Sequence, residues 1–469
     1  MNRYIKRGHK MNKYRFVAII FSFLIVLQMI PISMTITSER QTLENQNTNF
    51  VFSDTFQPEN FTGRINATFF TSPDSAFDEV IKTVRLTQSE FVMEVYSLWN
   101  PWLIKEIGDI FTRNGSANVR IILEKSPVGS YERSYNYGSA WNLTKAGAHM
   151  FWASTSFPYQ HSKFAVIDQK IVILMTGNWG LANVPVDPSY GNREWGVIIY
   201  NETIADYFLR VYYNDEAIAS PYVLNETDAE KQRTEEIKTG SYDHPFNATN
   251  FFEPMTITPI LAPDFAVSLI HHWLRAANTS ILLAQNYIYS DWGTAGENIF
   301  LQDLIAAKER GVDVKVIVNR DYNHDEEIAA ILMQHNISIM FSPSKFATYH
   351  VKGIIIDGNV VLLSSINWSY TSPNLNRESG VVVQNTNVAA YYTQVFNWDW
   401  DHGRVPNIST TNSTSSSSTN STSSSSSSTP SSTNNTTTMP EFTMEQEIML
   451  AVAGFFALII IAYIKKALK

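Results

Sequence analysis

The chain contains no cysteine. Disulfide bridges, thiolate metal sites and cysteine nucleophiles are excluded at once. A basic excess is missing too: against 44 Asp and Glu stand 35 Lys and Arg, a net charge of −9. That balance does not suit a protein that coats nucleic acid by bulk charge, although it leaves room for a local basic pocket. Apolar material is not short. Hydrophobic residues make up 44% of the 469 residues and aromatics 13%. This excludes global disorder and coiled-coil or collagen-like architectures, and at roughly 100–200 residues per domain the length allows two to four domains.

Long uncharged apolar runs stand at the two ends. Arg3, Lys6, Arg7, Lys10, Lys13 and Arg15 precede an apolar run from Phe16 to Ile32. Residues 1–35 are therefore expected to be a signal peptide or a signal anchor. Ile448 to Ile464 carries no charge and is followed by Lys465, Lys466 and Lys469. Residues 448–464 read as a transmembrane helix with a cytoplasmic C-terminus. Between core and helix, residues 407–440 form a Ser/Thr/Asn-rich stalk. It cannot bury apolar surface, and as a flexible coil it would span about 30 Å. Asn-x-Ser/Thr sequons recur at Asn60, Asn66, Asn142, Asn201, Asn225, Asn247, Asn412 and Asn420, a density that suits a surface glycoprotein. The expected placement is the cell membrane, with the core extracytoplasmic.

The core divides into two copies of one unit, at 54–214 and 251–403, joined by a polar linker at 215–250. Ser72-Pro73-Asp74 opens a helical pattern in the first copy and Ala262-Pro263-Asp264 in the second. Strand-like runs follow at Phe91–Leu98 and Ile281–Ile288, then at Val119–Leu123 and Val314–Val318. Alternating helices and short apolar strands predict an α/β fold, each unit a mixed sheet flanked by helices. Two such units are expected to pack as a pseudo-two-fold dimer.

Each copy carries a His-x-Lys-x4-Asp pattern: His161, Lys163 and Asp168, then His350, Lys352 and Asp357. An Asn follows 17 residues after each His (Asn178, Asn367), and a Glu lies further on (Glu194, Glu378). On a strand, His and Lys two apart share a face. Imidazole and ammonium together suit a phosphate, one group reacting and the other holding negative charge. With two copies, one His is free to attack phosphorus while the other protonates the leaving oxygen.

The duplicated pattern resembles that of the phospholipase D superfamily over most of the core. The resemblance implies a metal-free phosphodiesterase without cofactors, in which one His forms a phosphohistidine and the other is general acid, then base. It implies His161 as nucleophile or, with the roles exchanged, His350. Lys163, Lys352, Asn178 and Asn367 would hold the phosphoryl oxygens. Glu194 and Glu378 would accept from the far nitrogen of an imidazole and fix its tautomer. Asp168 and Asp357 read as structural, at strand ends on the face opposite the Lys. Asn367 also lies in a sequon and is expected to carry no glycan.

Other histidines read differently. His271 and His272 are helix neighbours and face different ways. His324 with Asp321, Asp325 and Glu326 reads as a solvated loop. The expected substrate is a phospholipid head group, hydrolysed or transferred. Aromatics beside the motifs (Trp152, Tyr159, Trp179, Trp195, Tyr349, Trp368) suit a lipid interface or base stacking by a single-strand nuclease, and the tryptophans equally suit a filled core. The run Glu194–Asn201 and the closing Val395–Asp401 resemble the membrane-anchored endolysosomal exonuclease branch of the superfamily. A catalytically silent surface-binding protein is the third reading. Arg193 and Arg377 occur in both copies but do not by themselves make a basic groove. No obligate protein partner is implied.

Overall fold

A computed structural model of the chain describes residues 56–320 and 324–407. The terminal segments at 1–35 and 448–464, and the stalk beyond residue 407, lie outside them. Among the described residues no helix is long and apolar enough to cross a membrane.

The first repeat runs β1 (Phe61–Ser72), α1 (Ala76–Val84), β2 (Glu90–Val95), α2 (Pro101–Arg113), β3 (Asn118–Leu123), α3 (Ser130–Ala146), β4 (His149–Trp152), β5 (Lys163–Ile167), β6 (Ile171–Met175), β7 (Glu194–Tyr200) and α4 (Glu202–Glu216). A two-residue β8 (Ser220–Pro221) follows. The second repeat keeps the order: β9 (Thr249–Ala262), α5 (Ala266–Ala276), β10 (Ser280–Gln285), α6 (Ile299–Glu309), β11 (Asp313–Val318), α7 (His324–Gln334), β12 (Ser338–Phe341), β13 (Lys352–Ile356), β14 (Val360–Ser364), α8 (Thr371–Asn374), β15 (Glu378–Gln384) and α9 (Thr386–Asp401).

One sheet per repeat is the expectation from sequence. Instead a single sheet of 15 strands runs through both halves, in the order β12-β11-β10-β13-β14-β15-β9-β1-β7-β6-β5-β2-β3-β4-β8. The cause is the pairing of the two opening strands. β1 and β9 lie antiparallel, with Phe61 opposite Ile257 and Phe69 opposite Thr249. The order reads alike outward from this pair, which places the pseudo-two-fold between them. β2, β3 and β4 are parallel to one another, and β5 closes antiparallel on β2.

Strand periodicity assigns the faces. On β5, Phe164 and Val166 enter one core, and Ala165 and Ile167 the other. The first of these cores lies under α4 and α9 and holds side chains of both repeats, among them Phe208, Ile355, Val383 and Phe396. Each fully buried large apolar side chain contributes about 1.5–3 kcal/mol, so this shared layer fixes the halves to each other. Bulk is exchanged across it. The Trp195 ring occupies the place where a Cβ on Gly353 would stand; the equivalent positions hold Ser379 and Phe164.

The segment read as a linker is held against the protein. Its first two residues finish α4, and its last two begin β9. Between them, Gly240 N donates to Ser189 Oγ at 3.0 Å and Tyr242 N to Ser189 O at 3.1 Å. Tyr242 is buried and its hydroxyl donates to Asp74 at 2.7 Å.

Candidate active site

The motif histidines stand two residues before β5 and β13, on segments that pair with the opposite repeat. His161 N donates to Arg377 O at 2.7 Å, and Arg377 N to Tyr159 O at 3.0 Å. The counterpart bonds run from His350 N to Arg193 O at 3.1 Å and from Arg193 N to Thr348 O at 3.0 Å. Side-chain acceptors at the ends of β3 and β11 hold the preceding residue. Glu124 accepts from Gln160 N at 2.9 Å and Asn319 from Tyr349 N at 3.1 Å.

The same crossing governs the side chains. His161 Nδ1 lies 2.7 Å from Glu378 Oε2, and His350 Nδ1 lies 2.8 Å from Glu194 Oε1. Each imidazole is thus held by the glutamate of the other repeat. Both glutamates are fully buried and surrounded by donors. Thr176 Oγ1 and Asn183 Nδ2 donate to Glu194, at 2.7 and 2.8 Å. Ser365 Oγ, Ser372 Oγ and Asn376 Nδ2 donate to Glu378, at 2.5, 2.5 and 3.1 Å. Burial raises the pKa of each carboxyl, but the paired histidine, these donors and the nearby lysines outweigh it and leave both below the ordinary value. A carboxylate on Nδ1 fixes the proton there and leaves Nε2 with its lone pair.

The lysines converge on the same space. Lys163 Nζ donates to His161 O at 2.5 Å and sits 5.6 Å from the centre of the Tyr96 ring. Lys352 Nζ donates to His350 O at 2.7 Å, lies 3.0 Å from His350 Nε2 and reaches Thr176 O of the first repeat at 3.5 Å. Burial is the main force on both. It lowers Lys163 to about 7 and Lys352 to about 8, against the pull of Glu194 and Glu378. His161 is pushed down to about 4 by burial and Lys163, with Glu378 opposing. His350 is lowered in the same way. The two histidine side chains keep 13% and 17% of their surface open.

Asn178 and Asn367 are buried, and Asn178 Oδ1 finds no protein partner. Asp168 and Asp357 lie elsewhere. β5 and β13 end one residue before them, and both take positive φ, 50° and 51°, which Asp tolerates. Asp168 accepts from the backbone N of Gln88, Ser89 and Glu90. Asp357 does the same for Asn278, Thr279 and Ser280. They tie the start of β2 and β10 to the motif strand, in a turn and not on the far strand face.

Other expected groups also find their places. Trp152, Trp179, Trp195, Tyr349 and Trp368 are buried, so they fill the core and form no interface; only Tyr159 is partly open. His271 pairs with Asp303 at 2.6 Å, and His272 packs on Trp273. Asp321 lies outside the described residues, among which no three His, Asp or Glu cluster as a metal site. Arg193 and Arg377 are buried as well. Arg193 is clamped by Asp74 of its own repeat at 2.6 Å and by Asp399 on α9 at 2.8 Å. Arg377 is clamped by Asp264 and by Asp215 on α4, each at 2.6 Å.

Sequence reasoning missed Tyr96, whose ring packs edge-on against His161 at 4.8 Å. It also missed Asn183 and Ser372. Each lies five residues after its motif Asn and donates to its own repeat's glutamate; the shared position was the available signal, hidden by the difference in residue type.

A family profile described as "Cardiolipin synthase, PLD-like domain" matches residues 80–215 and 270–400, one match in each repeat and together more than half the chain. The chain belongs to the phospholipase D superfamily. Mitochondrial cardiolipin hydrolases of Danio rerio and Xenopus tropicalis are 26% identical over 107 residues and 30% identical over 98. Those stretches cover 22% and 19% of this chain, and 47% and 43% of the relatives, so the chain spans just under half the length of the curated relatives it matches. Phosphatidylserine synthase of Haemophilus influenzae Rd KW20 shares the fold, with a TM-score of 0.55 over 72% of this chain and 87% of that one, at 12% identity.

Proposed function

We propose that the protein is a phosphodiesterase that hydrolyses or exchanges phospholipid head groups through a phosphohistidine. The reading is carried by the reciprocal His–Glu pairs, in which each motif imidazole is held through Nδ1 by the glutamate of the other repeat, with both motif lysines close enough to lower each histidine. The phospholipid class is supported by the family description and by the names of the relatives above. The core would lie outside the cytoplasm, held by the terminal apolar segments.

His161 is the nucleophile. Its Nε2 attacks phosphorus, the bond from phosphorus to the leaving oxygen breaks, and His350, entering the cycle as the imidazolium, gives that oxygen its Nε2 proton. Neutral His350 then takes a proton from water, whose oxygen displaces His161 and releases the phosphomonoester. An alcohol in place of water gives head-group exchange. Lys163, Lys352, Asn178 and Asn367 hold the phosphoryl oxygens, and Glu378 and Glu194 support each imidazolium as it forms.

The pH profile follows from the free-enzyme groups. His161, at about 4, must be unprotonated to attack, so kcat/KM rises as pH climbs through that value. His350, held below its ordinary value by burial, must be protonated to act as acid, so kcat/KM falls first as pH passes through its pKa and again as Lys163 and Lys352, at about 7 and 8, lose the protons that hold the anion. A bell with its plateau between these limits is expected for phosphatidylcholine cleavage, unchanged by EDTA. Release of nucleotides from 5′-labelled single-stranded DNA, with no choline from vesicles, would replace the lipid reading with a nuclease. Loss of activity in EDTA would remove the metal-free scheme.

A further inference from the structure

We propose that Tyr96 is a positioning residue: its ring sets the aim of the His161 imidazole and the place of the Lys163 ammonium, which makes the first repeat's motif the one that attacks phosphorus. The assignment rests on the phosphohistidine reading above and adds what tells two like histidines apart.

The repeats match around this point. Asp168 ties down Glu90 at the start of β2, and Asp357 ties down Ser280 at the start of β10. Tyr96 and Asn286 therefore hold the same place, one residue beyond each strand. The side chains there differ. The Tyr96 ring meets the His161 ring at 4.8 Å between centroids, with the planes at 74°. The Lys163 ammonium lies 5.6 Å from the centre of the same ring, within cation–π range. Asn286 instead brings its Nδ2 within 3.5 Å of Asn367 Oδ1, and Lys352 Nζ lies 3.0 Å from His350 Nε2.

Tyr96 is itself fixed in place. Asn136 on α3 donates to Tyr96 O at 2.9 Å and accepts from Leu98 N at 3.1 Å. Val128 N donates to the Tyr96 hydroxyl at 2.5 Å. The ring also packs on Tyr159, two residues before His161, at 5.9 Å. Burial raises the hydroxyl pKa against the Val128 amide, so Tyr96 does not titrate with the histidines. Attack on phosphorus needs in-line aim, whereas proton donation needs only hydrogen-bond reach. One hydrogen bond, from Nδ1 to Glu378, leaves an imidazole free to tilt about it. A ring packed at a fixed angle removes that freedom. His161 has both constraints, which suits the step in which its Nε2 bonds phosphorus as the leaving oxygen departs.

Tyr96→Phe keeps the ring, and Tyr96→Leu keeps apolar bulk without it. In single turnovers of the full chain with phosphorus-32-labelled phosphatidylcholine, the rate constant for labelling His161 should fall about a hundredfold in Tyr96→Leu, the cost of a misaligned reacting atom. In Tyr96→Phe it should stay near the wild-type value. A merely structural role would lower how much protein is labelled, not the rate constant of the part that folds. An unchanged rate constant in Tyr96→Leu, a fall in Tyr96→Phe as large as in Tyr96→Leu, or wild-type label on His350 instead of His161 overturns the Tyr96 assignment and leaves the phosphohistidine reading standing. A wild type labelled on neither histidine overturns that reading, and this assignment with it.

Discussion

With either His161 or His350 replaced by alanine, kcat is expected to fall about ten-thousandfold or more, and the double replacement should lower it no further. On the proposed mechanism the two imidazoles serve one reaction in sequence, so removing either stops the same cycle. The fold should survive the change. Glu378 keeps Ser365, Ser372 and Asn376 as donors when His161 is gone, and Glu194 keeps Thr176 and Asn183 when His350 is gone. Near-normal melting with lost choline release is the expected pair of results. A single variant keeping a tenth of the wild-type rate would contradict the shared cycle.

Arg193→Met and Arg377→Met should each cost about 3–5 kcal/mol of stability, the scale of a broken buried ion pair. Neither arginine lies at a surface, and each joins its own repeat's Asp to the closing helix of the other. Removing Arg193 strands Asp74 and Asp399. Asp399 is already pushed up to about 6 by burial, with Arg193 opposing. Without the arginine its folded pKa rises further above the unfolded value. Stability of the variant is then greatest at low pH and is lost as pH rises through that folded pKa. Urea titrations should show a larger deficit at about pH 7 than at about pH 5. Asp399→Asn added to Arg193→Met should recover part of it, since the two residues are coupled.

What the sequence made legible is what each repeat carries by itself. The spacing of His161, Lys163, Asn178 and Glu194, and of their counterparts, depends on short local strands. Helix and strand runs therefore matched the elements found. Contacts between the repeats were not legible. Spacing does not tell whether Glu194 serves His161 or His350, because both lie on the same repeating pattern. β1 and β9 were missed for the same reason. Much of the opening half of β1 is exposed, so its apolar alternation is weak, and its partner β9 is far along the chain. The motif tryptophans misled in the other direction: a large ring next to a motif Asn reads as a binding surface, yet Trp179 and Trp368 are buried in the cores of their repeats. Arg193 and Arg377, paired by buried aspartates, left no basic groove.

A single turnover of the wild-type chain with phosphorus-32-labelled phosphatidylcholine, quenched in alkaline denaturant and digested, tests most directly that two imidazoles share one phosphorus. The account predicts an alkali-stable, acid-labile label on the peptide containing His161. Label on neither motif histidine, with head group still released, would contradict it.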